Sequence, residues 1–333
     1  MTNQLRPISA VVRGVGHGVP ETILSNADLE KLVDTDDDWI VQRTGIKRRH
    51  VCSPDESASD LAITAAKQAL EQAEVSAVDV DMVIVATVTG DYMFPSTACL
   101  VQSAIGASNA GAFDLGAACA GFIYGVAVAD GMIRSGLRKR ILVIGVDVLS
   151  KWVDYTDRST CILFGDAAGA VLLEAEKDSN RGIIHTVLQS DGAGGNHIIL
   201  EKGYSRSPGP LSHLDTHHAH IEMNGRETYR FSQAAIGDAL CRALDEAGLT
   251  PADVDLFVPH QANRRIIDAS AERLKLPLEK VFLNIEEYGN TSAGSVPLGL
   301  YEADRSGRLK KGDIVLTVGF GAGLVWGANV IRW

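Results

Sequence analysis

The stretches Ala65–Asp81, AAKQALEQAEVSAVDVD, and Ala239–Asp255, ALCRALDEAGLTPADVD, decide how this chain folds. Placing Asp255 over Asp81 sets an offset of 174 residues. At that offset Ala65, Ala69, Leu70, Ala73, Asp79 and Val80 fall on Ala239, Ala243, Leu244, Ala247, Asp253 and Val254. Without a gap, the same offset lays Gly125 on Gly299, Ala129 on Ala303, and Ile141-Leu-Val-Ile-Gly on Val315-Leu-Thr-Val-Gly. Agreement in one helix is easily accidental; agreement across three elements in one register is not. Each copy reads as an Ala-rich helix followed by an apolar strand. The chain is therefore expected to hold two similar βα halves, residues 1–176 and 177–333.

Duplication has a chemical consequence. In parallel α/β structures ligands gather beyond the carboxyl ends of the strands, so matching strand ends should face one shared cleft. The first half offers Phe113-Asp-Leu-Gly-Ala-Ala-Cys-Ala-Gly-Phe-Ile-Tyr-Gly, a buried strand (Ala110 to Leu115) joined to a helix (Phe122 to Ile133) that is apolar nearly all round. Cys119 sits at the join among small residues. A thiol at the positive end of a helix is expected to have a lowered pKa and to react as thiolate; a plain core cysteine is the competing reading. The second half offers His260 after Leu256-Phe-Val-Pro, and Asn290 in Tyr288-Gly-Asn-Thr-Ser-Ala-Gly-Ser. At the offset His260 overlies Ala86 and Asn290 overlies Gly116, both on strand ends or the approach to Cys119.

Composition narrows the class. Of 333 residues 46% are hydrophobic and 22% charged, an ordinary globular profile. No apolar run approaches the roughly 18 residues a membrane-spanning helix needs. Met1-Thr-Asn-Gln-Leu-Arg-Pro lacks a charged-then-apolar leader, so a cytoplasmic location is expected. Five cysteines, odd in number and without a Cys-x-x-Cys pair, suit reduced thiols. The net charge of −11 speaks against general nucleic-acid binding. Ile8 to Val15 reads as a strand running into a turn-rich Gly14-Val-Gly-His-Gly-Val-Pro. That cluster resembles a dinucleotide loop only superficially, since no helix follows it.

Six motifs span most of the chain: Asp38-Trp-Ile-Val-Gln-Arg-Thr-Gly-Ile, Ala117-Ala-Cys-Ala-Gly-Phe, Phe164-Gly-Asp, Pro259-His-Gln-Ala-Asn, Gly289-Asn-Thr-Ser-Ala and Gly319-Phe-Gly-Ala-Gly. With them the chain resembles the thiolase superfamily, most closely the β-ketoacyl-acyl-carrier-protein synthase III family. The resemblance implies a thiolase-like five-layered αβαβα sandwich of two duplicated halves, an α/β fold usually found as a homodimer. It implies a decarboxylative Claisen condensation that starts fatty-acid synthesis, with acyl-CoA and malonyl-acyl-carrier protein as partners. No cofactor or metal is implied; the coenzyme A thioester is a substrate. Related families resemble Cys-His-His or Cys-His-Cys sets or add a catalytic glutamate, and Asn290 separates this chain from those. Chalcone-synthase-like enzymes share the Cys-His-Asn set but differ in length and in their C-terminal loop.

What the resemblance assigns is as follows. Cys119 takes the acyl group, a thiolate being both a good nucleophile and a good leaving group. His260 and Asn290 donate to the malonyl thioester oxygen, and backbone N–H groups of Cys119 and Ala322 receive the acyl-transfer oxyanion. Trp39 and Arg158 clamp adenine, with Thr35 and Arg43 as neighbouring polar contacts and Gly225 and Asn263 along the pantetheine arm. Trp39 could equally be a packing anchor of its helix. Phe94 is expected to close the partner's acyl tunnel, its bulk favouring a short primer such as acetyl. The segment Asn263 to Leu276, a helix carrying Arg264, Arg265, Arg273 and Lys275 with Arg230 nearby, is the expected carrier-protein docking patch; a solvated basic face is the plainer reading. Asp157-Arg-Ser-Thr departs from the family's Asp-Arg-Gly-Thr, and Gly294 replaces a common alanine, which is expected to loosen the turn holding Asn290.

Other functions stay open at this point: a starter-unit condensing enzyme of a polyketide-type pathway, a non-catalytic acyl-CoA-binding relative, or a thioester hydrolase. The histidine-rich stretch His213, His217, His218 and His220 has helical metal spacing between its first two members. Pro208-Gly-Pro just before it argues against a helix, so no metal is expected there.

Overall fold

The computed structural model describes residues 8–201, 205 and 219–333. Strand β1 (Ile8–Gly18) opens the chain; β2 (Ile23–Ser25) and β3 (Arg48–His50) pair outside the main sheets, with α1 (Asn26–Leu29) and α2 (Asp37–Thr44) between them. Then come α3 (Ala58–Ala73), β4 (Met82–Ala86), α4 (Thr97–Ile105), β5 (Gly111–Leu115), α5 (Gly121–Arg134), β6 (Arg140–Asp147) and β7 (Ala167–Lys177). The second series is β8 (Gly182–Ser190), β9 (Ile198–Ile199), β10 (Glu222–Met223), α6 (Gly225–Glu246), β11 (Leu256–Pro259), α7 (Arg264–Leu274), α8 (Ile285–Tyr288), α9 (Ser295–Arg305), β12 (Ile314–Gly321) and β13 (Val325–Arg332).

The main sheets run β1-β7-β6-β4-β5 and β8-β13-β12-β11. In both the inner pair is parallel, β4 with β6 and β11 with β12; β5 adds to β4 in parallel as well, and the remaining neighbours are antiparallel. Val281 bridges Phe257 in parallel where β5 joins β4. The starts of β8, β11, α9 and β12 each lie 174 residues after those of β1, β4, α5 and β6. The register breaks only after β6: residues 148–166 connect β6 to β7, whereas residues 322–324 suffice between β12 and β13.

Alternation along the strands builds the layers. On β6, Ile141 and Val143 face a central core shared with Phe122, Val126 and Ile133 of α5 and Val296 and Leu300 of α9. Leu142 and Ile144 face the other way, onto the alanines of α3. Phe257 and Leu316 of the second sheet likewise face α6 and α7. Strands buried on both faces read as unbroken apolar runs, as these do. Helix, sheet, helix pair, sheet and helix make the five layers.

The glycine cluster near the start is not a turn. β1 runs on through Gly14, Gly16 and Gly18, which alternate toward α3. A Cβ on them would collide with the carbonyls of Ala69, Ala65 and Leu61 in turn. The glycines thus let an alanine-faced helix lie directly on the strand. Gly16→Ala should lower the unfolding free energy by about 1–3 kcal/mol, as overpacking against rigid backbone does; the shift of a urea midpoint at unchanged slope checks it.

Candidate active site

Between the two sheets' strand ends lies a cavity of about 1070 Å³, and Cys119, His260 and Asn290 all line it. Cys119 sits on a single 3-10 turn, Ala118–Ala120, squeezed between β5 and α5, where Ala118 has the positive φ of 44°. The end of β12 presses on that turn: a Cβ on Gly321 would stand 2.7 Å from the Cys119 nitrogen. Only glycine admits the strand that close. His260 extends β11, its N–H donating to Val318 O at 2.8 Å, and its ring meets the edge of Phe320 at 5.3 Å between centroids.

Asn290 is fixed on three sides. Its N–H donates to Leu163 O (2.9 Å), its carbonyl accepts from Gly165 N–H (3.0 Å), and its Oδ1 accepts from Ser292 N–H (3.0 Å). With Oδ1 so engaged, the side-chain NH2 is the group left for the cavity. Gly294 does not loosen this turn. A Cβ there would collide with Ala167 O, so the missing methyl seats the turn against β7.

Burial sets the charges. It pushes the Cys119 thiol up to about 12; the Ser292 hydroxyl bonded to it acts the other way, and the nearby Asp147 carboxylate adds to the rise. The expected thiolate is therefore corrected: desolvation outweighs the helix terminus, and Cys119 rests as a thiol. Burial also lowers His260 to about 3, and among the described residues its Nδ1 has no hydrogen-bond partner. The imidazole is neutral, able to donate from one nitrogen and accept at the other.

The cavity mouth carries most of the other expected contacts. Asp36 caps α2 by accepting from Trp39 N–H (2.7 Å), and one turn on, Arg43 brings its guanidinium carbon 4.6 Å from the Trp39 ring centre. Arg158 stands 5.1 Å from the same ring and donates to Asp34 O. Trp39, Arg43, Arg158, Gly225, Asn263 and Ala322 all line the cavity. The Asn263 side chain accepts from Arg265 N–H and donates to Arg43 O, tying α7 to the end of α2. Ser159, the departure in the clamp loop, donates through N–H and hydroxyl to Asp157 and closes the loop on itself.

Other expected residues lie apart. Thr35 is outside the cavity wall, its buried hydroxyl without a partner among the described residues. Phe94 is 83% exposed beside exposed Tyr92 and Met93. On α7, Arg265 reaches the cavity and donates to Gln42 O, while Arg264 pairs with Asp268 at 2.7 Å. Arg273 lies over Gly237 of α6, and Lys275 caps the far end of α7, about 15 Å along the helix from Arg265. Arg230 pairs loosely with Glu227. His213, His217 and His218 lie outside the described residues; His220 stands 3.8 Å from Asp154. Among the described residues no cluster is placed to hold a metal, and no helix is long and apolar enough to cross a membrane.

Sequence reasoning passed over Ser292, whose Oγ lies 3.2 Å from Cys119 Sγ, and Asp147, buried at the end of β6. The signals were present: Ser292 overlies Ala118 at the 174-residue offset, and an acid closes an otherwise apolar strand. It also passed over Gln261, whose amide donates to Pro259 O and Phe282 O and whose Oε1 accepts from Asn284 and Ile285 N–H. That buried side chain holds the loop carrying His260 to the segment before Asn290.

Two sheets of one order with a cysteine on the turn into the central helix make a thiolase-like enzyme. The model of 3-oxoacyl-[acyl-carrier-protein (ACP)] synthase III matches residues 113–192, and that of its C-terminal part matches residues 244–333. The chain is 49% identical over 326 residues to the beta-ketoacyl-[acyl-carrier-protein] synthase III of Caldanaerobacter subterraneus subsp. tengcongensis, with 98% of each chain covered. The crystal structure of 3-oxoacyl-[acyl-carrier-protein] synthase III from Aquifex aeolicus VF5 superposes with a TM-score of 0.90 at 43% identity, covering 97% of this chain and 100% of that one. The priming beta-ketosynthase from the R1128 polyketide biosynthetic pathway gives 0.92 at 34%, covering 100% and 99%. The chain belongs to the β-ketoacyl-acyl-carrier-protein synthase III family, acyltransferases that carry out the initiating condensation of fatty-acid synthesis.

The neutral, buried His260 makes stability depend on pH. Its folded pKa lies below the ordinary 6.5, so below that pH the unfolded chain binds a proton the folded one refuses. Its contribution is fully present above pH 6.5 and is lost as pH falls toward 3. His260→Gln should flatten the decline in unfolding free energy between pH 6.5 and 5 by up to about 1.4 kcal/mol per pH unit, read from urea unfolding across that range.

Proposed function

We propose that the protein joins a short acyl-CoA, acetyl-CoA first among them, to malonyl-acyl-carrier protein through an acyl-Cys119 intermediate. The observation that carries this reading is the convergence of Cys119, His260 and Asn290 on one cavity whose mouth holds Trp39 within reach of two guanidiniums. In the first half-reaction the Cys119 sulfur attacks the thioester carbonyl, and the oxyanion lies against the N–H groups of Cys119 and Ala322. The coenzyme A sulfur leaves and takes the proton that Cys119 gives up, so no net proton is released. In the second, the malonyl group loses CO2, and the resulting enolate is held by donors from His260 and the Asn290 carboxamide. The enolate attacks the acyl carbonyl, and Cys119 leaves as thiolate and takes one proton from solvent, the one net proton the condensation consumes. A neutral imidazole suits this step, because a donor is needed and a strong base is not.

For coenzyme A, adenine parts Arg158 from Trp39 and stacks between them. Arg43 and Thr35 serve the nucleotide end, and Gly225 and Asn263 the pantetheine arm. The acidic carrier protein docks at Arg265 on the cavity rim, with Arg264, Arg273 and Lys275 extending the basic face. The two halves divide at 176/177. The exposed Tyr92-Met93-Phe94 patch supports a homodimer in which Phe94 closes the partner's acyl tunnel. The second reading, a starter-unit enzyme of a polyketide-type pathway, is favoured by the R1128 priming enzyme's TM-score of 0.92.

Intact-protein mass spectrometry after exposure to a panel of acyl-CoA donors tests the reading. Acetyl should add to the wild type and not to Cys119→Ala; labelling of both, or of neither, would sink it. Preference for a decanoyl over an acetyl donor would remove the short-primer assignment and favour the second reading. Asn290→Ala should still acylate at Cys119 but condense on the order of 10²–10³ more slowly, as loss of a preorganised donor does.

A further inference from the structure

Ser292 touches two of the residues that the proposed half-reactions use. Its Oγ lies 3.2 Å from Cys119 Sγ, and its backbone N–H donates to Asn290 Oδ1 at 3.0 Å. It is buried, with a φ of 50°, at the position that duplicates Ala118, whose φ is 44°. The twin turn closes with alanine, so the turn's shape does not require a hydroxyl. Behind Ser292 stands Asp147, with no exposed surface. Its Oδ1 accepts from Val88 N–H and from the hydroxyls of Thr87 and Thr89, and its Oδ2 accepts from the N–H of Ala293, the residue after Ser292. A carboxylate held by this many donors is fixed in place, and so fixes what donates to it.

We infer that Ser292 is the positioning residue of the nucleophile: its hydroxyl, on a turn tied to buried Asp147 through Ala293 N–H, holds the Cys119 sulfur and hydrogen-bonds to it as its proton leaves. The inference rests on the reading that Cys119 carries the acyl group. The bond suits both states of the sulfur. With the thiol present, the Ser292 hydroxyl donates to Cys119 Sγ. When the sulfur attacks and its proton passes toward the departing coenzyme A sulfur, the same hydroxyl goes on donating to the sulfur, now more strongly because the acceptor carries charge. The titratable groups facing Cys119 are Asp147, from the end of β6, and neutral His260, from the loop after β11. Asp147 opposes a negative sulfur, and the hydroxyl between them offsets that opposition. The Asn290 contact uses backbone, so removing the side chain tests the sulfur's partner while sparing the amide's.

The test compares full-length wild type with Ser292→Ala and with Ser292→Gly, glycine taking positive φ without strain. Thermal melts establish that each variant is folded. The expected result is iodoacetamide alkylation of Cys119 about tenfold slower at pH 8, with the pH–rate line displaced about one unit upward, the size of one hydrogen bond to a charged group. Acylation by acetyl-CoA should fall by more than release of CO2 from malonyl-CoA. Folded variants that alkylate within twofold of wild type, or faster, would overturn the inference. If wild-type Cys119 alkylates but never takes acetyl, the functional reading fails instead, and the alkylation comparison still decides the role of Ser292.

Discussion

The structure depends on two helix-entry turns meeting back to back between the sheets. Ala118–Ala120 and Ser292–Gly294 each place a residue at positive φ and feed a helix that is buried almost all round. Neither turn leaves room for larger residues: Gly321 lets β12 reach Cys119, and Gly294 lets the second turn reach Ala167. The Cys119 sulfur and the Asn290 carboxamide thus hang from backbone that cannot relax independently. Catalytic groups need to be held to within fractions of an ångström, and packed main chain does that better than long side chains.

Burial acts on the site in two opposed ways. It keeps Cys119 protonated and His260 uncharged, so the resting cavity floor presents two neutral groups. A neutral floor carries no counter-ion pair that a substrate would have to displace. The same low-dielectric surroundings strengthen any hydrogen bond to an oxyanion that forms there. The mouth is the reverse, exposed and cationic, with Arg43 and Arg158 about Trp39.

Much of this was legible in the sequence, and the failures have physical causes. The duplication announced itself because Ala65, Ala69 and Val80 recur where helix and strand must pack. Cys119, His260 and Asn290 could be placed at strand ends because the offset aligned them with such ends. The glycines at 14, 16 and 18 were misread as a turn, because a close helix approach and a turn ask for the same residue. The thiolate was misread because a helix terminus is visible in sequence and desolvation is not. Ser292 and Asp147 escaped because their roles arise only when residues 147, 119 and 292 are brought together.

A scaffold made twice presents two candidate cradles for a reactive atom. In this chain the residue equivalent to Cys119 is Ala293, so one cradle holds the sulfur and its twin holds none. The unloaded twin is not idle: its serine and its main chain now brace the loaded one. The asymmetry extends to the entrance, since the 148–166 connection of one copy supplies Arg158 and wall residues where the other has only 322–324. Division of labour between copies, rather than repetition, is what turns a symmetric frame into a one-sided workshop.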